Sequence, residues 1–223
     1  MAKPTVEHII TKDGSSTLYS PGFDEHYHSV HGAIQESMHV FIRSGLDLFK
    51  ARDAVAILEM GFGTGLNALL SYFCAGSQRI DYTALEAYPL LYEQVQQLNY
   101  PAESKFPHAP EVFRKLHEAE WGSPVMVCER FTLEKIHIRL EEFQTDKKFD
   151  LIYFDAFAPT SQPELWEDAI LAGIYKMLTP GGIFVTYSAK SSVRRGLIAA
   201  GFTVEKIPGP PGKREMLRGR KPC

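Results

Sequence analysis

Ile57-Leu-Glu-Met-Gly-Phe-Gly-Thr-Gly-Leu-Asn67 is the stretch whose reading decides the fold. The run that enters it, Ala54-Val-Ala-Ile-Leu58, is short and apolar, as a strand buried on both faces of a parallel sheet must be. Glu59 follows, then glycines at alternate positions, Gly61, Gly63 and Gly65. Leu66, Leu69, Leu70 and Phe73 come next at helical spacing. Strand, glycine turn and helix open a nucleotide-binding βαβ unit. Glycine tolerates positive φ and lets backbone approach a ligand closely. The helix start presents free N–H groups and a positive dipole end to an anionic group.

Working outward, Ile80 to Glu86 reads as a second strand that ends in an acid. A carboxylate there can accept both ribose hydroxyls of an adenosine ligand. Gly63-Thr-Gly65-Leu-Asn-Ala68 also fits the dinucleotide pattern, so turn and acid together support nucleoside binding without choosing between NAD and S-adenosylmethionine. Phe149 to Asp155 is a further strand, and it runs into Ala156-Phe-Ala-Pro-Thr-Ser-Gln-Pro163. Ligands of doubly wound sheets sit beyond the carboxyl ends of the strands, which brings Asp155 beside the glycine turn. Phe157 is a flat apolar surface in a loop stiffened by Pro159 and Pro163. Helices are expected at Glu164 to Leu178 and Ser191 to Ala200, with strand Ile183 to Tyr187 between them and Gly201 as a C-cap. Two short strands, Thr203 to Lys206 and Glu215 to Arg218, flank a rigid Pro- and Gly-rich loop that carries Lys213 and Arg214.

Upstream, Asp13-Gly14 marks a hairpin turn. We expect an N-terminal extension over residues 1–32 and a main domain over 33–223, together one globular unit. A helix over Ile34 to Phe41 would bury Ile34, Met38, Phe41 and Ile42, with Glu36 on the other side. A short helix from Leu46 to Ala51 leads into the first strand. Pro89 opens a helix with Leu90, Leu91, Val95 and Leu98 on its apolar side. Residues 99–110 read as a loop and 110–120 as a helix that covers one side of the cleft. Val125 to Ile136 is strand with a bend, and His137 to Phe143 is a helix candidate. Ile136-His-Ile138 lies there, and no adenine contact is assigned to it. His26, His28 and His31 are close enough to raise metal binding, but no partner stands at a recognisable spacing, and polar loop residues are the reading adopted.

The chain has 223 residues, 44% hydrophobic and 12% aromatic, enough for one substantial core. With 24 basic against 27 acidic residues it is no general polyanion binder. The tail differs: Lys206, Lys213, Arg214, Arg218, Arg220 and Lys221 face Glu215 alone, and such a basic face could meet nucleic-acid phosphate. Cys74, Cys128 and Cys223 form no C-x-x-C pair, so neither a disulfide framework nor a zinc cluster is expected, and a reducing compartment is. Neither a membrane span nor a signal pattern is read, which makes a cytoplasmic location the expectation.

Glu59-Met-Gly-Phe-Gly-Thr-Gly65 is similar to the first motif of Rossmann-like methyltransferases that use S-adenosylmethionine. Taken with VHGAIQESMHVFI near the start, YFDAFAPTSQPELW, LTPGGIFVTYSAKSSVRRGL and GPPGKREML, nearly the whole chain resembles the methyltransferase domain of the MnmC family. The resemblance implies an α/β class I fold, a doubly wound and mostly parallel seven-stranded sheet with a C-terminal antiparallel hairpin. It implies S-adenosylmethionine as cofactor and, as acceptor, the aminomethyl group of 5-aminomethyl(-2-thio)uridine at the wobble position of tRNA. It makes Glu59, Gly61, Phe62, Gly63 and Gly65 the cofactor turn, Glu86 the ribose contact and Asp155 the catalytic acid that holds the amine. Glu36 matches a motif residue near the cofactor. Phe157 and Pro159 would meet the uracil, and Lys213 and Arg214 the anticodon-loop phosphates. The family's FAD-dependent oxidase half has no counterpart in these residues, so a separate enzyme would supply the aminomethyl group. Two other readings stay open: a Rossmann-like transferase acting on a small-molecule amine by methyl or aminopropyl transfer, and a non-catalytic nucleoside- or RNA-binding module.

Overall fold

A computed structural model describes residues 6–223, and the first positions of the expected N-terminal extension lie outside the described residues. The chain begins with strands β1 (Glu7–Ile10), β2 (Ser16–Ser20) and β3 (Glu25–His26), followed by helix α1 (Ala33–Ser37). Then come β4 (Ala54–Met60), α2 (Leu66–Cys74), β5 (Arg79–Glu86), α3 (Tyr92–Val95), α4 (Tyr100–Glu103) and α5 (Ala109–Glu118). The second half runs β6 (Pro124–Cys128), β7 (Phe131–His137), β8 (Phe149–Phe154), α6 (Asp168–Met177), β9 (Leu178–Thr186), α7 (Ser191–Ala200), β10 (Thr203–Pro208) and β11 (Glu215–Arg220).

Eight strands form the main sheet in the order β10-β11-β9-β8-β4-β5-β7-β6. β4 pairs in parallel with β5 on one side and β8 on the other, and β7 and β9 extend the parallel core outward. The sheet therefore reverses its direction of winding between β4 and β8, which is where doubly wound folds place their ligands. Strand β6 and the pair β10–β11 are antiparallel. The strand count exceeds the expected seven because the bend in residues 124–137 is a full reversal at Glu129-Arg130, with a register shift between Met126 and Cys128. The N-terminal hairpin likewise gains a third short strand and becomes a separate three-stranded sheet.

Alternation along the strands divides the core. Ile57, Tyr82, Leu133, Leu151 and Tyr153 face the side covered by α2 and α5. Leu58, Met60, Leu85, Ile152 and Phe154 face α6 and α7. Among the described residues no helix is long and apolar enough to cross a membrane.

Four local expectations differ from the structure. The helix at residue 34 is an α-turn that passes into a π-helix, Met38–Arg43, and its buried residues are Ala33, Glu36 and Ser37, then Val40, Phe41 and Ile42. Ile34 and Met38 are only half-buried, so Glu36 lies on the inner face, opposite to its expected side. Pro89 does not open a helix, because the turn waits until Tyr92, and Pro101 sits in the first turn of α4 inside the expected loop. Residues 137–143 hold only a 3-10 turn, Leu140–Glu142.

Candidate active site

The carboxyl ends of β4 and β8 lie side by side, with Met60 in register with Phe154. Past these ends the backbone N–H of Asp155 donates to Met60 O at 3.2 Å, so Asp155 abuts the glycine turn. Gly61 and Phe62 both donate from backbone N–H to Leu85 O at 3.0 Å, which ties the turn to β5 as well. Gly61, Gly63 and Gly65 all have positive φ, at 87°, 48° and 73°. A Cβ on Gly65 would stand 2.8 Å from His117 Nε2, and one on Gly61 3.2 Å from Asp155 O. The alternate-glycine pattern is therefore required by both conformation and space.

A cavity of about 410 Å³ opens over this turn. It brings together Gly61, Phe62, Gly63 and Glu86 with Asp155 and Phe157, and with Glu36 and Lys213 from distant parts of the chain. Glu59, Gly65, Pro159 and Arg214 do not line it. Glu59 is 1% exposed beneath it, and Arg214 is exposed on the hairpin loop.

Glu86 accepts the Gly63 N–H on Oε2 and the Tyr88 N–H on Oε1, each at 2.8 Å. Burial raises its pKa, and those N–H groups pull the other way. Asp155 Oδ2 accepts Asn67 Nδ2–H at 2.8 Å. Burial, then the nearby Glu36 charge, pushes the Asp155 carboxyl up to about 7, against the Asn67 hydrogen bond and the Lys213 charge. Burial also holds Glu59 well above the carboxylate range. Glu59 Oε2 and Asn67 Oδ1 have no hydrogen-bond partner among the described residues.

Glu36 accepts the Ser29 N–H on Oε2 at 2.8 Å and Lys213 Nζ–H on Oε1 at 3.0 Å. The Lys213 ammonium also sits 3.9 Å from the centroid of the Tyr187 ring. Lys213 thus stands at the mouth of the cavity. The other tail cations are largely spoken for: Lys206 pairs with Glu215, Arg218 with Glu205, and Lys221 donates to Tyr175 O and Leu178 O.

Phe23 and Tyr27 carried no readable signal in sequence, and His28, read there as a polar loop residue, is buried. All three flank β3 and reach over the cavity from the N-terminal extension. Phe23 stacks on Phe157 at 4.7 Å, and Tyr27 meets the Phe157 edge at 5.3 Å. Ser161 Oγ–H donates to Glu25 Oε1 at 2.9 Å, fastening the Asp155 loop to β3. His28 is buried and shares a 2.7 Å hydrogen bond with Thr64 Oγ1, and burial lowers its pKa to about 4. Among the described residues no group of His, Cys, Asp or Glu side chains is placed to hold a metal ion. At the stretch with no assigned adenine contact the wall is apolar, with Ile138 and Leu140. Asn67 and Tyr187 had a usable signal. Asn67 is the polar residue in an apolar first turn, and Tyr187 follows a strand's carboxyl end.

A doubly wound sheet with a glycine turn, a strand-end acid on β5 and an acid beyond β8 defines the class of Rossmann-like nucleoside-binding proteins. A family model described as S-adenosyl-L-methionine-dependent methyltransferase matches residues 93–222, a stretch that includes Asp155 and the terminal hairpin. The chain belongs to that family. It is 31% identical over 232 residues to the tRNA 5-methylaminomethyl-2-thiouridine biosynthesis bifunctional protein MnmC of Cupriavidus metallidurans, covering 96% of this chain and 34% of that protein. To the protein of the same name from Leptospira borgpetersenii it is 34% identical over 222 residues, 92% of this chain and 33% of that one. The chain spans about a third of the length of these curated relatives. Among solved structures, MNMC2 from Aquifex aeolicus superposes with a TM-score of 0.77 at 27% identity, over 99% of this chain and 73% of that one. DesVI from Streptomyces venezuelae, with a TM-score of 0.51 and 15% identity, shares the fold.

The residues present fit S-adenosylmethionine. The cavity is of small-ligand size. Each Glu86 oxygen has one lone pair taken by backbone and one left over. A Cβ on Gly61 or Gly63 would crowd this side of the cavity, at 3.2 Å from Asp155 O and from the Tyr27 ring.

Proposed function

We propose that this chain methylates the aminomethyl group of 5-aminomethyl(-2-thio)uridine at the wobble position of tRNA. The observation that carries the reading is the seat of Asp155, a half-buried carboxylate next to the glycine turn and open to the cavity. The names of the relatives supply the acceptor, and the amine chemistry of the site supports it.

In this reading Gly61, Phe62, Gly63 and Glu86 hold the cofactor, Glu86 through the ribose hydroxyls, while Glu59 and Gly65 shape the turn from beneath. S-adenosylmethionine supplies, when bound, a methyl group made electrophilic by a sulfonium. Asp155 accepts a hydrogen bond from the acceptor amine and fixes its direction. The amine arrives mostly as ammonium and must lose a proton before its lone pair can react. A carboxyl held near 7 is suited to take that proton, because its affinity lies close to working pH. Phe157 offers an apolar face to the uracil, with Pro159 stiffening the loop behind it, and an unpaired anticodon base can be splayed out to reach that face. Arg214, exposed and without an ion pair among the described residues, is the proposed phosphate contact. A cytoplasmic location and a separate source of the aminomethyl group complete the reading.

The test is methyl transfer from labelled donor to tRNA that carries 5-aminomethyl groups, followed by nucleoside analysis. We expect label in 5-methylaminomethyluridine, and Arg214→Glu to raise KM for tRNA without changing KM for the free nucleoside. Label in small amines but not in tRNA would replace this reading with a small-molecule transferase.

A further inference from the structure

Lys213 is a primary ammonium ion held inside a cavity read as receiving a primary amine. Its partners are a carboxylate, Glu36, at 3.0 Å and the face of Tyr187 at 3.9 Å, which together make a cation cage. The cage is built into the protein. Glu36 is 7% exposed and fixed through its other oxygen by the Ser29 N–H. Tyr187 is anchored by its hydroxyl, which donates to Ala156 O at 2.9 Å, one residue beyond Asp155. An ammonium has three N–H donors and no acceptor. Asp155 and Glu36 both line the cavity and offer it carboxylate oxygens.

The lysine itself is the loose member. Its side chain is 37% exposed, and it hangs from the loop Gly209–Arg214, whose own ties are Gly209 N–H to Arg214 O and Lys213 N–H to Pro210 O. A half-exposed ion pair of this kind is worth little and is easily exchanged. We propose that Glu36 and Tyr187 form the recognition site for the acceptor's ammonium group, and that Lys213 occupies it as an internal stand-in which the acceptor displaces.

The inference rests on the amine-acceptor reading above and adds two residues and a competitor to it. It moves Glu36 from the cofactor to the acceptor side. The displaced Lys213 swings to the rim of the cavity, where a phosphate of the incoming anticodon loop is its natural partner.

The probe is ethylammonium chloride, with sodium chloride as control, added to the full chain. Lys213→Ala empties the cage and should bind ethylammonium by calorimetry, while the unsubstituted protein should not. Adding Glu36→Gln to Lys213→Ala should abolish that binding. In turnover, Lys213→Ala should lower KM for the 5-aminomethyluridine nucleoside about fivefold, the scale of one exposed ion pair, and leave the affinity for S-adenosylmethionine unchanged. Lys213→Gln, which keeps the stem over Tyr187, replaces the alanine variant if that one does not fold. Ethylammonium binding that is absent from the Lys213 variant, equal in the unsubstituted protein or retained after Glu36→Gln overturns the proposal. So does tighter S-adenosylmethionine binding in place of the lowered KM. If the unsubstituted protein transfers no methyl group to aminomethyluridine, the functional reading fails, and the ethylammonium titration still decides the cage by itself.

Discussion

Asp155 joins the mechanism to the stability of the molecule through one proton. Its ordinary carboxyl, at 3.8, ionises well before the folded group at about 7. The folded state therefore binds more protons than the unfolded state between those values, and stability is lost as pH rises from about 4 to 7. Asp155→Asn removes that charge. It should stabilise the protein above pH 7 by roughly 1–3 kcal/mol, taking about 1.4 kcal/mol for each tenfold change in proton affinity and discounting for partial exposure. Below pH 4 the difference should vanish, which a series of thermal melts reads directly. The same substitution should cut kcat by about 10²–10⁴ while sparing cofactor affinity. In the unsubstituted enzyme kcat should rise with pH through about 7, as Asp155 becomes able to accept a proton. The place of Asp155 at the cavity was legible because ligands of doubly wound sheets sit beyond the ends of buried strands. Phe23 and Tyr27 were not, because nothing in a two-residue-period segment says that it folds over a cavity more than thirty residues downstream.

The glycine turn is the element on which sequence and structure agree most fully. Strand, turn and helix are local and each is set by its own residues, so β4, Gly61 to Gly65 and α2 follow from pattern alone. Gly65→Ala tests the turn. At φ 73°, with His117 Nε2 at 2.8 Å from the added Cβ, it should cost about 1–3 kcal/mol in a denaturant melt and weaken cofactor binding. Unchanged stability would show that the turn relaxes freely. Agreement is poorer at α1. There the predicted apolar stripe assumed a uniform 3.6-residue period, and the chain instead widens into a π-helix in which Ser44 N–H reaches back to His39 O. The wider turn sets which of its own residues are buried, Val40, Phe41 and Ile42, while Ala33, Glu36 and Ser37 face inward from the α-turn just before it. π-Turns concentrate at functional sites, and here one follows directly on the turn that carries Glu36 into the cavity. The reversal at Glu129-Arg130 escaped notice for a related reason: alternation continues on both sides of it, and period alone does not reveal direction.

At the scale of the whole molecule, the N-terminal sheet behaves as a wall of the site. Ser16 accepts and donates hydrogen bonds with Asn99, His28 meets Thr64 of the glycine turn, and Ser29 fixes Glu36. We propose that residues 1–32 and 33–223 form one cooperative unit. A chain begun at Ala33 should then melt several degrees lower and bind no S-adenosylmethionine by calorimetry. Full binding by that fragment would make the extension a mere appendage. The division at residue 32 could be drawn from the hairpin signal, but the dependence of one part on the other arises from contacts between distant segments, which local pattern does not encode.

Strand β11 lies between β9 and β10, although it follows both in sequence. Until it is in place, β9 has an unfilled edge and β10 has no ladder to join. The segment 209–214 that holds Lys213 links β10 to β11, so the order of this part of the cavity wall depends on the pairing of the most distant strand.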